Sequence, residues 1–300
     1  YTETDYTGSA TGYAVIDVTG GNFTMESGFV QTVREDPANK GQFALGIGKG
    51  GTMTINGGNF SGGLKTIKND DYGQLEIKDG TFDSYAQACV LNWNEATISG
   101  GEFDGSSASS SVVLNGYLDD TMDKGQLTIT GGNFTGVYAF ARMDGSTDSG
   151  TIEVSGGNFT TTGALVDPDA AIDGTLEVSG GRYSQPVAVA YLAEGLNAEL
   201  YSGNSQTPYS YYESVDDALA AAQPGDVVTD LTNVNSNVMC EVRVDYYGNG
   251  SYETLSVRSG STITPEVPTR TGYRFAGSRD AQGNRYEAGQ AITVYSDMTL

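Results

Sequence analysis

The 300-residue sequence contains no histidine, only two cysteines and only one tryptophan. The absence of histidine excludes Ser-His-Asp and Cys-His catalysis and removes a common ligand of zinc sites. The two cysteines, Cys89 and Cys240, lie far apart, one in a repeated strand and one beyond the repeats. We therefore expect two buried thiols and no disulfide.

Basic residues are also scarce, since 15 lysines and arginines stand against 38 aspartates and glutamates, giving a net charge of −23. Nucleic acids bind basic faces, so this balance excludes a nucleic-acid partner and argues against binding to anionic membranes. No apolar run reaches about 18 residues, so no membrane insertion is expected. The acidity favours solubility of a secreted protein. Weak Ca²⁺ binding at carboxylate clusters is the alternative, and no other cofactor or metal is predicted.

Glycine, by contrast, is abundant, with 42 residues, and much of it lies in a recurring unit. The stretch "TIEVSGGNFTTTG", residues 151–163, shows this unit: a short alternating strand, a glycine pair and an aromatic residue. One copy reads Asp79-Gly80 in place of two glycines. The aromatic residues of the copies are Phe23, Phe60, Phe82, Phe103, Phe134, Phe159 and Tyr183. Recurrence at intervals of about 20–50 residues is typical of a solenoid.

The repeat predicts an all-β fold, a right-handed parallel β-helix of the pectin-lyase-like kind. Each coil of about 20–25 residues would lay two or three short strands on the coil below, about 4.8 Å away. Aromatic residues then stack on aromatic residues inside, and Val/Ile on Val/Ile. The second glycine of each pair makes a corner where a Cβ would clash. An apolar run after each aromatic residue, such as "GLKTIK" or "SVVLNG", predicts a second strand. Insertions such as "REDPANKGQ" and "LDDTMDKGQ" are predicted to be outer loops.

The tripeptide Asn-Phe-Thr/Ser recurs within the repeats, at Asn22, Asn59, Asn133 and Asn158. It matches the glycosylation sequon, but this match is a by-product of the repeat. We predict instead an internal asparagine ladder at the corner, in which each side-chain amide binds that of the next coil.

A capping segment, residues 196–236, follows the repeats, which occupy residues 1–195. Ser214 is a good N-cap for a short helix, Asp216 and Asp217 lie in its first turn, and a Pro-Gly pair stops it. This helix is predicted to cover the open end of the β-helix, whose apolar edges would otherwise aggregate.

The remaining residues, 237–300, have long alternating strands and clear turns, which predict a separate small β-rich domain. "GNG" at 248–250 and "AQGN" at 281–284 mark two hairpins.

This last segment resembles the Listeria–Bacteroides repeat, also called the internalin B-type repeat. The similarity lies in "VRVDYYGNGS" and in "VRSGSTITPEVPTRTGYRFAGSRDAQGNRYEAGQAITVYSDMTL". Ser278 stands where the family usually has tryptophan, and the sequence stops at Leu300, before the family's last strand is complete. The residues that match the family pattern are Gly260, Ile263, Pro265, Pro268, Arg270, Gly272, Tyr273, Phe275 and Gly277. The resemblance implies a β-grasp-like stalk or spacer domain with a role in adhesion.

The glycine-pair repeats resemble the "ISGGxF" β-helix regions of large surface proteins from gut Firmicutes. Together the two resemblances imply an extracellular, cell-surface protein. Neither family motif includes catalytic residues. The chain starts inside the repeat pattern and stops in an unfinished strand, so we expect a fragment whose signal peptide and anchor lie outside it.

One candidate function is a polysaccharide lyase or hydrolase on the β-helix scaffold. Such enzymes use clustered carboxylates, or Ca²⁺ with a basic residue as proton acceptor. The candidate groups are Asn69-Asp70-Asp71, Asp119-Asp120, Arg142 and Asp144. Adjacent aspartates in loops more often cap turns, so a non-enzyme is favoured.

The favoured function is a non-enzymatic adhesin or display protein that presents a solenoid face to a host or dietary glycan, or to a surface protein. Exposed aromatic residues on such a face stack on sugar rings. The candidate ligand-binding residues are Trp93, Tyr72, Tyr117, Tyr138 and Arg142. Two alternatives stay open: Trp93 packs under a loop, or the whole chain is a structural spacer without a ligand.

Overall fold

The computed structural model describes residues 13–31, 42–47, 50–70, 72–84, 86–106, 111–117, 125–203, 205, 208–232, 235–245 and 252–300. The chain folds into two compact units, Tyr1–Leu192 and Ala193–Leu300. Within the described residues, no helix has both the length and the apolar character that crossing a membrane requires.

The first unit is built from short parallel strands. Its strands are β1 (Tyr13–Val18), β2 (Asn22–Met25), β3 (Phe29–Gln31), β4 (Gln42–Ile47), β5 (Thr52–Ile55), β6 (Asn59–Ser61), β7 (Lys65–Asn69), β8 (Gln74–Ile77), β9 (Thr81–Asp83), β10 (Ala88–Asn92), β11 (Glu95–Ile98), β12 (Glu102–Asp104), β13 (Ser111–Asn115), β14 (Gln126–Ile129), β15 (Asn133–Gly136), β16 (Tyr138–Arg142), β17 (Thr151–Val154), β18 (Asn158–Thr161), β19 (Thr175–Val178) and β20 (Arg182–Tyr183).

These strands form three parallel sheets that the chain visits in rotation. Sheet A has the order β1-β4-β7-β10-β13-β16, and sheet B the order β19-β17-β14-β11-β8-β5-β2. Sheet C contains β20-β18-β15-β12-β9-β6-β3. Each strand pairs in register with its equivalent in the next coil. The predicted all-β parallel β-helix is therefore confirmed.

Like residues stack on like residues inside the solenoid, as predicted. Stacked rings lie 4.6 to 5.1 Å apart between centroids. The rings of this aromatic ladder belong to Phe60, Phe82, Phe103, Phe134, Phe159 and Tyr183. A second buried row contains Ile55, Ile77, Ile98, Ile129, Val154 and Val178. Because one coil buries neither row by itself, the stacking of coils creates the core.

Each complete coil has three strands, within the predicted two or three, although the sequence identified only the strands before and after the glycine corner. The aromatic residue lies in a short sheet C strand of its own, for example Phe60 in β6, and the following apolar run forms sheet A. This run gives full strands in β7, β10, β13 and β16. In "GALV" it leaves only a bridge between Phe140 and Val166, and in "PVAVA" it becomes a 3₁₀ turn, Val189–Tyr191.

The first copy of the repeat departs from the predicted register. Phe23 does not join the aromatic ladder, because β2 belongs to sheet B and Phe23 pairs with Met53. Val30 in β3 occupies the position below Phe60. The corner that enters sheet C therefore lies at Gly28, not at the Gly20-Gly21 pair, as the hydrogen bond from the Asn59 amide to the Gly28 carbonyl shows.

The two glycines of a pair are needed for different reasons. A Cβ on Gly131 would lie 2.2 Å from the carbonyl oxygen of Ser99 in the coil below. Gly132 has φ +102°, which L side chains rarely adopt. The first glycine thus permits the close approach of two coils, and the second makes the corner.

The prediction of an internal asparagine ladder at the Asn-Phe-Thr/Ser corner is wrong, and other asparagines form a buried ladder at a different corner. The predicted residues Asn22, Asn59 and Asn158 are exposed, although Asn158 donates to the Oδ1 atom of Asn133 at 2.6 Å. The buried ladder lies at the end of sheet A, where three strands in register end in Asn69, Asn92 and Asn115. Asn69 donates to Asn92, and Asn92 to Asn115, each at 2.8 Å.

The second unit contains the predicted short helix. Helix α1 (Val215–Ala221) is capped by Ser214, whose Oγ accepts the Asp217 amide at 3.1 Å. The helix packs on a cluster that contains Ala198, Leu200 and Val228. Its predicted role as a cover for the solenoid stays a prediction.

The strands of this unit are mostly antiparallel. They are β21 (Ala198–Ser202), β22 (Ser210–Tyr212), β23 (Asp226–Asp230), β24 (Asn235–Val244), β25 (Glu253–Ser259), β26 (Ser261–Ile263), β27 (Ser278–Arg279), β28 (Arg285–Tyr286), β29 (Ile292–Val294) and β30 (Met298–Thr299). Strands β29-β26-β23-β21-β22 form one sheet and β25-β24-β30 another. Residues from both predicted segments, 196–236 and 237–300, share one core, in which Tyr201 and Val227 pack with Cys240 and Val242.

The predicted turn at 281–284 joins β27 to β28, where the Asp280 carboxylate accepts the amides of Gln282 and Asn284. The turn predicted at 248–250 lies outside the described residues. The β-grasp-like character that the resemblance implied stays a prediction.

Candidate functional site

Four of the predicted ligand-binding residues lie along one edge of the solenoid, where sheet A turns toward sheet B. Trp93 directly follows β10, Tyr117 lies two residues beyond β13, and Arg142 ends β16. Because Asn92, Asn115 and Arg142 pair in register, these residues belong to successive coils. Tyr72 lies three residues beyond β7, one coil before Trp93.

Tyr138 lies at the opposite end of β16, so the structure does not bring it to this edge. It is half-buried, and a Cβ on Gly163 would lie 2.5 Å from its Cε1 atom. One side of the Tyr138 ring therefore packs on the Gly163 backbone.

The two other tyrosines, Tyr72 and Tyr117, differ in how exposed their side chains are. Tyr72 is 42% exposed and has a φ of 64°, in a tight turn closed by the Gly73 amide on the Asp70 carbonyl. Tyr117 is half-buried, its backbone bridges to Asp148, and its ring lies against the backbone at Gly125. Tyr72 is thus the most accessible of the predicted aromatic residues.

Arg142 occupies the register position of the asparagine ladder but does not extend it. Its Nη1 donates to Asp173 Oδ2 at 2.5 Å in a half-exposed ion pair. Although partial desolvation raises the pKa of Asp173, hydrogen bonds from Ser149 and the charge of Arg142 lower it below its ordinary value. The guanidinium is therefore engaged within the protein.

Trp93 packs on apolar residues of sheet A that face away from the solenoid interior. Phe140 points inward, since its ring lies 5.6 Å from Phe159 of the aromatic ladder. Successive side chains on a strand alternate between faces, so Ala141 points outward, and Leu91 and Leu114 pair in its row. We name the buried cluster Ala88, Leu91, Leu114 and Ala141 the outer strip; Trp93, Met143 and Ala170 pack against it.

Two lysines lie at one end of the outer strip, a feature that sequence reasoning missed. Lys65 pairs in register with Ala88, and Lys68 with Leu91. Lys68 forms an ion pair with Asp70. Lys65 is only 6% exposed and forms no ion pair with any residue that the structure describes. Burial, followed by the charge of Lys68, lowers the pKa of Lys65 to about 8, although Asp144 acts in the opposite direction.

Two further polar atoms at the strip are buried without a hydrogen-bond partner among the described residues: Ser111 Oγ and Trp93 Nε1. Ser111 lies two residues before Val113, as Ala88 lies two residues before Val90, and the two valines pair. Ser111 thus occupies the register position of Ala88. Buried polar groups usually have partners, so these two donors are available to a bound molecule or to water.

The predicted carboxylate candidates are only partly described. Asp71, Asp119 and Asp120 lie outside the described residues. Asp70 pairs with Lys68, and Asp144 is exposed. Within the described ranges, no group of three or more Cys, Asp or Glu side chains is placed to hold a metal ion.

A stacked carboxylate pair, unnoticed in the sequence, lies on sheet C. Asp83 and Asp104 pair in register in neighbouring coils. Desolvation, and then the charge of Asp104, raise the pKa of Asp83 above its ordinary value.

The second unit has a shallow depression whose lining includes Tyr201, Met239 and Arg258. Arg258 contacts both the Tyr201 hydroxyl, at 3.1 Å, and the Glu199 carboxylate, at 3.3 Å, and Tyr201 also donates to Glu199. Burial, with the hydrogen bond to Glu199, raises the pKa of Tyr201. These groups satisfy one another, which is typical of a structural network.

No protein-family model, no curated protein and no solved structure matches this chain.

Proposed function

We propose that the first unit is a non-enzymatic binding solenoid of the cell surface, and that the outer face of sheet A is its ligand-binding face. The observation that carries the proposal is Trp93, an indole packed on the outer strip with its N–H donor unpartnered among the described residues. An aromatic ring beside unpaired donors suits a sugar, which offers an apolar ring face and several hydroxyl groups.

A glycan is favoured over a protein ligand for two reasons. The accessible groups along the edge are aromatic and polar, namely Trp93, Tyr117 and Tyr72. Phe29 and Val189, the two most exposed large apolar side chains described in this unit, lie outside sheet A and far from each other in the sequence. Protein interfaces are instead centred on contiguous apolar cores. The resemblance of the last segment to Listeria–Bacteroides repeats supports display outside the cell.

One observation favours an enzyme as the second candidate. A buried lysine with a lowered pKa is a typical general base, and Lys65 lies on the same face as Trp93. A lyase would use such a base to remove the proton next to a uronate carboxyl group.

The two candidates are separated by a retention assay on immobilised host glycans, mucins, plant polyuronides and matrix proteins. We expect retention on a glycan without release of sugar fragments. Trp93→Ala is expected to abolish retention, whereas Phe29→Ala, which removes an exposed ring on sheet C, leaves it unchanged.

Soluble fragments with a new double bond would favour the lyase. Retention on matrix proteins alone would overturn the glycan proposal, and no retention on any surface would favour a spacer.

A further inference from the structure

Lys65 is a charged side chain that the fold buries without an ionic partner among the described residues. It is 6% exposed and pairs in register with Ala88 of the outer strip. The charge of Lys68 repels its ammonium, and the charge of Asp144 attracts it. Burying an unpaired ammonium group destabilises a fold, and an apolar residue of similar length would be more stable there. A residue that breaks a local rule at such a cost is typical of a functional site.

The surroundings of Lys65 independently indicate a polar ligand. Ser111 is fully buried, and its hydroxyl has no partner among the described residues. The same is true of the Nε1 atom of Trp93. A hydroxyl and an indole N–H thus lack acceptors in the part of the chain that the structure describes. The ammonium of Lys65 lacks an ion pair there. The ligand that would satisfy them is rich in acceptor oxygens and negatively charged.

Lys68 indicates which anion suits this face. Its ammonium already binds the carboxylate of Asp70, so the geometry at the end of the outer strip accepts a carboxylate. The rest of the molecule is strongly acidic, with a net charge of −23. An anionic ligand would therefore be repelled from most of the surface. At this face it would compete with Asp70 for Lys68.

We propose that the outer face of sheet A binds a sugar that carries a ring carboxylate, with that carboxylate at Lys65 and Lys68 and the sugar ring against Trp93. The inference rests on the proposed function and narrows its substrate class. Uronates and sialates both supply this chemistry. The Ser111 hydroxyl and the indole N–H would bind sugar oxygens.

The test compares each acidic sugar with its neutral counterpart by calorimetry on the full chain. The probes are oligogalacturonate, the same oligomer with its carboxyl groups reduced to alcohols, sialyllactose and lactose. We expect one acidic probe to bind at least about tenfold more tightly than its neutral counterpart, as loss of a charge-assisted contact predicts. Which acidic probe binds distinguishes uronate from sialate.

Two variants locate the site. Lys65→Met is expected to weaken binding of the acidic probe about tenfold or more. Lys78→Met is the control, because Lys78 is half-exposed beside Glu76 and its replacement removes the same charge elsewhere. Circular dichroism of Lys65→Met checks that it folds.

Equal binding of acidic and neutral probes, lost in Trp93→Ala, would overturn this inference and leave glycan binding in place. An equal loss of affinity for the acidic probe in Lys65→Met and Lys78→Met would also overturn this inference, because the effect would then come from net charge. Absence of binding to every probe and to every glycan of the retention assay would overturn both proposals.

Discussion

The side-chain amide of Asn92 donates a hydrogen bond of 2.8 Å to the amide oxygen of Asn115, one coil further along the solenoid. Asn69 makes the same bond to Asn92 from the coil before. The three side chains are fully buried. Each amide also donates to a backbone carbonyl, namely that of Glu95, Gln126 or Ser149. This ladder closes the edge of sheet A, the edge that Trp93 and Tyr117 occupy.

Substitution of Asn92 by leucine is expected to lower the free energy of unfolding by about 3–5 kcal/mol. The change removes the Asn92 donor from Asn115 Oδ1 and from the carbonyl oxygens of Asn94 and Gln126. Asn69 loses one acceptor but keeps its bond to the Glu95 carbonyl. Each buried group that loses its partner costs about 1–3 kcal/mol. Thermal unfolding followed by circular dichroism measures the effect. Asn158→Ala is the control, since Asn158 is exposed, and its expected change is within about 0.5 kcal/mol. If both variants lower the free energy of unfolding by similar amounts, the buried ladder stabilises the fold no more than an exposed asparagine does.

Gly131→Ala is expected to destabilise the solenoid by about 3 kcal/mol or more, because the new Cβ would overlap the Ser99 carbonyl oxygen at 2.2 Å. Gly145→Ala makes a matched comparison. Gly145 has a φ of +83° but open space around it, so only the backbone cost of about 1–2 kcal/mol applies. Chemical denaturation measures both. A larger loss in Gly145→Ala would contradict the close approach of coils.

Phe103→Ala is expected to cost about 3–5 kcal/mol, as deletion of a buried aromatic ring does. The Phe103 ring is stacked between Phe82, at 4.6 Å, and Phe134, at 4.7 Å. Phe29→Ala removes a ring that is 64% exposed and should change stability by about 0.5 kcal/mol at most. Tm values of the two variants test this, and an unchanged Tm for Phe103→Ala would be inconsistent with a continuous aromatic ladder.

Lys65 makes the stability of the protein depend on pH. Its pKa is about 8 in the folded protein, below the ordinary lysine value of 10.5 that applies to the unfolded chain. Between these values the unfolded chain binds more protons than the folded one, so stability rises with pH there. The rise is roughly 3 kcal/mol, at 1.36 kcal/mol per pKa unit.

Lys65→Met is expected to remove this rise and to increase stability at pH 7. Urea unfolding at pH 7 and pH 10 measures it, with Lys78→Met as the variant that keeps the rise. If wild type and Lys65→Met change equally between the two pH values, the ammonium of Lys65 is not buried as described.

The architecture of the first unit could be predicted from sequence because every stacked coil needs the same residue types at the same positions. The aromatic ladder from Phe60 to Tyr183 and the Val/Ile row follow from the position of each residue before or after a glycine pair. Helix α1 was also predictable, because the Ser214 cap and the Pro-Gly stop act locally. Both cysteines are free and buried, as expected.

The wrong predictions have a common physical cause, which is that local patterns do not fix register. Gly20-Gly21 has the same sequence as the later glycine pairs, yet it precedes a sheet B strand. Phe23 therefore does not join the aromatic ladder to which the repeat pattern assigns it. The repeated Asn-Phe-Thr motif suggested an asparagine ladder, although the outward side of sheet C leaves Asn158 exposed. The true ladder uses Asn69, Asn92 and Asn115, whose shared position becomes visible only when strands are aligned.

The candidate site was predictable only in part. The sequence places Tyr72, Tyr117 and Tyr138 near comparable edges of neighbouring copies. The structure brings Tyr72 and Tyr117 to the edge that Trp93 occupies, but Tyr138 lies at the other end of its strand. Tyr138 and Arg142 are engaged in packing and in an ion pair, which the sequence does not reveal. The importance of Lys65 depends on its burial at the register position of Ala88, which the sequence does not reveal.

Hydrogen–deuterium exchange of the full chain, with and without oligogalacturonate and sialyllactose, tests the central claim most directly. If the outer face of sheet A binds the sugar, slower exchange is expected in peptides that contain β7, β10, β13 and β16. Peptides from sheet B and from the second unit should be unchanged. Protection confined to sheet B, to sheet C or to the second unit would contradict the account, as would the absence of any protection.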